Sequence, residues 1–262
     1  MKYGFIGCGN MGGALIKALA KKTTDIMIAD FFKEKAETLA NEFNLTVGTN
    51  EDIAKNCDRI FLAVKPQMME KVVGEIKDIL QEKKPVLITI AAGLEIKKIE
   101  DFAGGNLPVI RIMPNTPVAV GKGVILYCCN ELVAPEVLND VLHDLAGAGL
   151  LEPVAEENMD AACSVCGCGP AFAYLFLEAM AAGGTALGIA PEDALRYAAA
   201  TISGAAEMAA VTGEDPMALC RAVCSPGGST IEGVKVLQAR QLREIVTDCI
   251  AASYRRNKEL GQ

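Results

Sequence analysis

The chain has 262 residues, of which 51% are hydrophobic and 22% charged, a composition typical of a globular protein with a substantial core. A net charge of −8 argues against nucleic acid and anionic membrane surfaces as partners, and 5% aromatic residues without tryptophan argue against a platform for stacked bases. The N-terminus lacks the layout of a secretory signal and the ten cysteines form no obvious disulfide framework, so we expect a cytoplasmic protein.

Short apolar runs alternate with helical patterns in the first half of the chain. Six runs have the composition of strands buried on both faces: Tyr3–Ile6, Ile26–Ala29, Ile60–Val64, Val86–Ile90, Val109–Met113 and Val124–Tyr127. Helical patterns, such as Lys33–Phe43 and Met68–Leu80, lie between several of them. This alternation predicts a parallel sheet covered by helices on both sides, and we assign residues 1–154 to an α/β domain.

The pattern changes after about Glu156. Ala, Leu, Met and Glu dominate three long segments, Pro170–Leu187, Pro191–Thr212 and Thr230–Glu259, and we assign residues 155–262 to an all-α domain. These helices are too apolar for a small exposed bundle, so we expect them to be buried in a subunit interface. Residues 161–191 are also long enough to span a bilayer, but their glycines, prolines and acidic flank favour a buried helix.

A glycine fingerprint occupies the first turn between a strand and a helix. Gly7-Cys8-Gly9-Asn10-Met11-Gly12 fits G-x-G-x-x-G, follows the strand Lys2–Ile6 and opens the helix Met11–Lys21. The first glycine permits the turn, the second lets a pyrophosphate approach the backbone, and the third packs the helix on the strand. We therefore place Gly7, Gly9, Asn10, Met11 and Gly12 at a dinucleotide; a ligand-free turn is the alternative.

Two further strand ends should face this dinucleotide. Asp30 ends the second strand, where a carboxylate holds the adenosine ribose and favours NADH, although Lys33 nearby can attract a phosphate. A helix N-cap is the alternative role for Asp30. Val64 ends the apolar run Ile60–Val64, and together with Lys65 and Pro66 it should lie at the ligand crevice of such a sheet. A solvated lysine is the alternative for Lys65.

Four motifs in order carry a family resemblance: Gly4–Gly12, Val64–Gln67, Arg111–Pro117 and Ser225–Thr230. With them the chain resembles the pyrroline-5-carboxylate reductases over almost its whole length. The resemblance implies a Rossmann domain followed by a helical dimerisation domain, assembled as a homodimer or a ring of dimers. It also implies hydride transfer from NADPH or NADH to the ring C=N of Δ1-pyrroline-5-carboxylate, which gives L-proline.

The turn Ser225-Pro226-Gly227-Gly228-Ser229-Thr230 is the expected substrate site. Backbone N–H groups at a glycine turn that enters a helix suit a carboxylate, and a hydroxyl donor near an imine nitrogen makes the imine more electrophilic. By motif position, the resemblance implies that the Thr230 hydroxyl bonds the imine nitrogen and that Gly228 and Ser229 lie at the carboxylate. Gly227 is a further substrate-binding residue of the turn. The alternative is that Ser229 or Thr230 only caps the helix.

Two asparagines complete the expected cofactor site. Asn115, in the turn after the apolar run Val109–Met113, can bond to its neighbours or to the nicotinamide carboxamide. Asn50 resembles a family position near the adenosine ribose, and helix N-capping explains it equally well.

Two other functions compete with this one. A β-hydroxyacid dehydrogenase needs a proton-accepting lysine in its helical domain, but the sequence has no lysine between Lys122 and Lys235. A non-catalytic dinucleotide-binding protein would keep the glycine fingerprint but would have no use for the Pro-Gly-Gly-Ser-Thr turn.

The spacing Cys163-x-x-Cys166-x-Cys168 is typical of a site for zinc or an iron–sulfur cluster. Such a site needs a fourth ligand, which Cys220 or Cys224 could supply. In the resembled family the corresponding run is Ser-Gly-Ser-Gly-Pro-Ala, so Cys166 and Cys168 stand where serines usually do. We therefore expect no metal here, but small side chains that let the helix from Pro170 start close to the active site. Thiols at this point raise the hypothesis of sensitivity to oxidation.

Overall fold

The computed structural model describes residues 1–260 and contains one eight-stranded sheet. The strands lie in the order β3-β2-β1-β4-β5-β6-β7-β8. Their bounds are β1 Tyr3–Ile6, β2 Ile26–Ala29, β3 Thr46–Val47, β4 Arg59–Leu62, β5 Val86–Thr89, β6 Val109–Pro114, β7 Gly123–Cys129 and β8 Gly149–Pro153. β1 pairs in parallel with β2 on one side and β4 on the other, so the strand order reverses between β1 and β4. A dinucleotide binds at such a reversal in doubly wound folds.

Twelve α-helices accompany the sheet in the described residues. The helices of the first half are α1 Asn10–Ala20, α2 Lys33–Phe43, α3 Asn50–Asn56, α4 Pro66–Lys83, α5 Ile96–Ala103 and α6 Pro135–Leu145. The helices of the second half are α7 Met159–Cys166, α8 Gly169–Ala186, α9 Pro191–Thr212, α10 Pro216–Ala222, α11 Ser229–Ala239 and α12 Leu242–Leu260.

Each face of the sheet is covered by its own apolar core. Phe5 and Phe61 stack on one face with ring centroids 4.2 Å apart, and Leu15 of α1 belongs to the same cluster. On the other face, Ile6 and Leu62 pack with buried residues of α3, α4 and α5. The run of apolar residues on both faces of β1 and β4 therefore has the predicted cause, and the Rossmann-type fold is confirmed.

The sheet differs from the prediction in two strands and one pairing. β3 has two residues and β8 has partly exposed residues, so neither gives a clear apolar run. β7 is antiparallel to β6, whereas an all-parallel sheet was predicted. Only residues 115–122 connect these two strands, and a parallel crossover needs a dozen or more. The all-parallel sheet was therefore wrong at this one pair.

Residues Met1–Cys168 form one compact unit together with the segment from Ser253, and Gly169–Ala252 form a second, helical unit. This division follows packing; the predicted domain boundary between residues 154 and 155 stays a prediction. The predicted helical segment Thr230–Glu259 is two helices, α11 and α12, with Gln241 at a left-handed φ of 56° between them. By length and composition alone, residues 156–186 are long and apolar enough to cross a membrane, with a mean hydropathy of 1.4.

Candidate active site

Two glycines of the β1–α1 loop are required by the protein itself. Gly7 has a φ of 109°, and a Cβ there would lie 2.6 Å from the carbonyl oxygen of Ala63. A Cβ at Gly12 would lie 2.3 Å from the carbonyl oxygen of Gly7. The loop therefore crosses the end of β4 at a distance that no side chain permits.

Gly9 is different, because nothing in the fold requires a glycine there. Its φ of −68° is open to any residue, and a Cβ at Gly9 would meet no protein atom within 4 Å. Gly9 is also the N-cap of α1, whose first turn has no side-chain cap and no acidic residue. The N–H groups of Asn10, Met11 and Gly12 are thus unpaired within the helix at its positive end. A bare loop in front of such a helix end fits the pyrophosphate of a dinucleotide.

Asp30 joins the end of β2 to this glycine loop. Its Oδ2 accepts a hydrogen bond from the backbone N–H of Cys8 at 2.6 Å, and its Oδ1 accepts one from the N–H of Phe32 at 2.8 Å. The N-cap of α2 is Phe32, and this helix has no side-chain cap, so the alternative role of Asp30 as a helix N-cap is wrong. Burial, with a smaller effect of the nearby Asp30, raises the pKa of the Cys8 thiol to about 12.

Asn50 and Lys65 lie at the starts of two other helices. Asn50 is the first residue of α3, and the cap is Thr49, which forms a reciprocal capping box with Asp52. The N-capping alternative for Asn50 is therefore wrong, and its place near the ribose stays a prediction. Lys65 is the exposed N-cap residue of α4, directly after Val64 and before Pro66 at the first helical position.

Asn115 is buried and fully engaged by its neighbours. Its Oδ1 accepts a hydrogen bond from the N–H of Val124 at 2.8 Å, and its Nδ2 donates to the carbonyl of Cys166 at 2.9 Å. Of the two alternatives, bonding to neighbours is therefore the one observed, and a contact with the nicotinamide stays a prediction. The side chain ties β7 and the end of α7 to the end of β6.

Arg111 is a residue that sequence reasoning did not single out. It lies on β6 with 1% of its surface exposed, and its guanidinium contacts Glu156 Oε1 and Asp160 Oδ1, each at 3.1 Å. Asp160 also pairs with Lys258 at 3.2 Å. The available signal was a charge inside the otherwise apolar run Val109–Met113. Arg111 and Asn115 together hold α7 near both of its ends.

In the helical unit, the turn Ser225–Thr230 leads into α11. Gly227 has a left-handed φ of 71°, the N–H of Gly228 donates to the carbonyl of Ser225 at 3.0 Å, and Gly228 is the N-cap. No side chain caps α11, so the alternative that Ser229 or Thr230 only caps the helix is wrong. Both hydroxyls are on exposed residues of the first turn. The helix end combines unpaired N–H groups with exposed hydroxyls, an arrangement that suits an anion.

The cysteine run forms a tight turn between α7 and α8. The N–H groups of Gly167 and Cys168 both donate to the carbonyl of Cys163, and a Cβ at Gly167 would lie 2.7 Å from the Cys163 sulfur. Within residues 1–260, no group of three or more His, Cys, Asp or Glu side chains is arranged to hold a metal ion. Burial raises the pKa of Cys163 to about 12 and also raises that of Cys166. For Cys166, one of the two thiols that stand in place of serine, a low thiolate fraction argues against the hypothesis of easy oxidation.

Comparison with known proteins covers the whole chain. A family model described as pyrroline-5-carboxylate reductase dimerisation matches residues 156–260, and one described as NADP oxidoreductase, coenzyme F420-dependent, matches residues 2–93. The pyrroline-5-carboxylate reductase of Escherichia coli is 35% identical over 266 aligned residues, which cover 100% of this chain and 98% of the relative. The chain belongs to the pyrroline-5-carboxylate reductase family.

Solved structures of other reductases have the same architecture. A Plasmodium falciparum pyrroline carboxylate reductase with NADP bound has a TM-score of 0.91 at 31% identity, and covers 100% of this chain and 98% of its own. The enzyme from Streptococcus pyogenes has a TM-score of 0.91 at 30% identity over 99% of this chain and 98% of its own. The α/β domain with a following helical domain is thus the fold of this reductase family.

Proposed function

We propose that this reductase converts Δ1-pyrroline-5-carboxylate to L-proline with NADPH or NADH as the hydride donor. The observation that carries the proposal is the match with named pyrroline-5-carboxylate reductases over the full length of the chain. The bare glycine loop and the uncapped start of α11 supply the two kinds of site that this reaction needs. An alcohol dehydrogenase or a non-catalytic binding protein has no such support.

The chain's own residues have simple tasks in this reaction. Gly7, Gly9, Gly12 and the N-terminus of α1 would hold the dinucleotide pyrophosphate, and Asp30 would hold the adenosine ribose. The bound dinucleotide supplies the hydride.

The residues at the start of α11 would bind the substrate. The N–H group of Ser229 would bind the substrate carboxylate beside Gly228, whose own N–H is bonded to Ser225, because the helix dipole favours an anion there. The Thr230 hydroxyl would donate a hydrogen bond to the imine nitrogen, which draws electron density away from the carbon that receives the hydride. The nitrogen also takes up one proton from water, so that hydride on the carbon and proton on the nitrogen together give the amine of proline.

Steady-state kinetics with pyrroline-5-carboxylate and each reduced dinucleotide tests the function. Thr230→Ala should lower kcat by about a hundredfold, since general acid–base groups contribute at least about that much. Its affinity for the dinucleotide should stay unchanged, and Thr230→Ser, which keeps the hydroxyl, should retain most of the activity. Equal loss of turnover and dinucleotide affinity would refute the role of Thr230. A failure to oxidise either dinucleotide with this substrate would refute the function.

We further propose that the enzyme is a homo-oligomer, a dimer or a ring of dimers. Support comes from the match to the dimerisation model and from large apolar side chains left exposed on the helical unit, such as Leu175 (70%), Leu187 (88%) and Val211 (79%). Sedimentation equilibrium at micromolar concentration should give a mass of two chains or an even multiple. A monomer of 27.6 kDa would contradict the proposal.

We propose a cytoplasmic location for the enzyme. All ten cysteines are free thiols in the structure, as a reducing compartment favours. Fractionation of the source cells with an antibody against the chain should recover it in the cytosolic fraction, and recovery in the membrane pellet would contradict the proposal.

A further inference from the structure

We propose that Asp30, Phe31 and Phe32, here termed the adenosine corner, make this reductase select NADH over NADPH. In this corner Asp30 excludes the 2′-phosphate of NADPH, and Phe31 offers a ring face to adenine. The inference rests on the proposed function, because it concerns the cofactor of the same reaction.

The Asp30 carboxylate is held rigidly at the edge of the glycine loop. Each oxygen accepts a backbone N–H, one from Cys8 at 2.6 Å and one from Phe32 at 2.8 Å. These two bonds, one to each oxygen, favour a single orientation of the carboxylate. Each oxygen keeps a second lone pair, so the carboxylate can still accept hydrogen bonds from ribose hydroxyls. A phosphate in place of the 2′-hydroxyl would bring two like charges together.

The residues after Asp30 present aromatic surface that the chain leaves uncovered. Phe31 is 95% exposed and Phe32 60% exposed. Their rings meet edge to face with centroids 5.2 Å apart, so Phe32 supports the orientation of Phe31. A flat base is the ligand that suits an exposed ring directly after a ribose-binding residue, because stacking on an aromatic side chain does not depend on hydrogen bonds.

Two lysines near the corner oppose the selection, and both have other partners. Lys33 forms an exposed pair with Glu37 at 3.4 Å, and the Lys35 ammonium lies 4.9 Å from the centre of the Phe32 ring. Proteins that hold a 2′-phosphate use an arginine at this place, and residues 30–40 contain none. Because both cations are exposed to solvent and already have other partners, we expect the fixed carboxylate to outweigh them and to disfavour the phosphate.

Isothermal titration with two nucleotides tests the selection without any turnover. The probes are 5′-ADP and adenosine 2′,5′-bisphosphate, which differ in whether the 2′ position carries a phosphate. The wild-type enzyme should bind 5′-ADP at least about tenfold more tightly, and kcat/KM should favour NADH over NADPH by a similar factor. Tighter binding of the 2′-phosphorylated probe by the wild type would overturn the proposal.

Variants separate the two roles in the corner. Asp30→Ser should remove most of the discrimination, and Asp30→Asn, which keeps the side-chain shape, guards against a loss of folding in the first variant. Phe31→Ala should weaken both probes about fivefold or more with little change in their ratio, while Phe31→Tyr should not. Unchanged discrimination in folded Asp30→Asn, or unchanged affinities in Phe31→Ala, would overturn the corresponding role.

The outcomes also distinguish this inference from the proposed function. An enzyme that reduces pyrroline-5-carboxylate but prefers NADPH overturns the inference and leaves the function intact. A chain that prefers 5′-ADP but reduces no pyrroline-5-carboxylate overturns the function and leaves the selection by the corner intact.

Discussion

Replacement of Arg111 with methionine should destabilise the enzyme severely, although Arg111 is remote from the expected substrate turn in sequence. The guanidinium is buried and is shared between Glu156 and Asp160, each at 3.1 Å. Methionine keeps the apolar stem but leaves the Asp160 side chain, which is 7% exposed, with only Lys258 as a charged partner. Breaking a buried ion pair by removal of one partner costs about 3–5 kcal/mol.

The structure also orders the other members of this network. Asp160→Asn keeps an acceptor for Arg111 and should cost less than Arg111→Met. Lys258→Met should cost at most about 1 kcal/mol, because 42% of the Lys258 side chain is exposed and solvent weakens such pairs. A combined Arg111→Met/Asp160→Asn variant should be less destabilised than the sum of the two single variants, since the two residues share one interaction.

Urea unfolding followed by far-ultraviolet circular dichroism measures these differences, since the chain has no tryptophan for fluorescence. All variants should be compared at one protein concentration, because association adds to apparent stability. The reasoning would be refuted if Arg111→Met stayed within about 1 kcal/mol of the wild type, the level expected of a surface pair. It would also be refuted if Lys258→Met were as damaging as Arg111→Met.

Two further predictions concern the glycine loop and the buried thiols. Gly9→Ala should fold as the wild type does but bind 5′-ADP at least about tenfold more weakly. Gly12→Ala should lower the melting temperature, because its Cβ would lie 2.3 Å from the Gly7 oxygen. Equal melting temperatures of the two variants would contradict this difference. Burial raises the pKa of Cys8 and Cys163 to about 12, so above pH about 9 the unfolded chain loses these protons before the folded chain does, and stability should fall as pH rises. Urea midpoints at pH 8, 9 and 10 should fall less steeply in Cys8→Ser, and an unchanged slope would contradict the assignment.

The order of elements in the first half could be predicted because each central strand is buried on both faces. A run such as Tyr3–Ile6 must then be continuously apolar, and such runs are readable without any structure. β8 has exposed residues and β3 has two residues, so neither is constrained in this way. The antiparallel β6–β7 pair was in principle predictable from the short connection between the two strands, a constraint of chain length rather than of composition.

The position of the glycine fingerprint could also be predicted, but not which of its glycines the fold itself requires. Gly7 and Gly12 are fixed by contacts with Ala63 and within the loop, while Gly9 faces open space. The sequence alone does not distinguish these roles, because all three residues are glycine. Similarly, an asparagine at a helix start suggests a cap, but Thr49 rather than Asn50 makes the capping bonds of α3. Which of two neighbouring residues caps a helix depends on which one has the extended backbone conformation that an N-cap requires.

The helical unit differs from the sheet unit, because many of its apolar side chains lie on a surface that a single chain does not bury. Among residues 169–252, Ala194 and Ala198 are buried, whereas large side chains such as Leu187 and Val211 are exposed. Ordering a residue costs about 1–2 kcal/mol in backbone entropy, and two buried alanines cannot offset that for a unit of this length. Burial of each exposed leucine or valine against another subunit would contribute about 1.5–3 kcal/mol. Burial between subunits would thus supply the apolar core that this unit lacks in a single chain. The folding of the unit and the association of subunits should therefore be one concentration-dependent process.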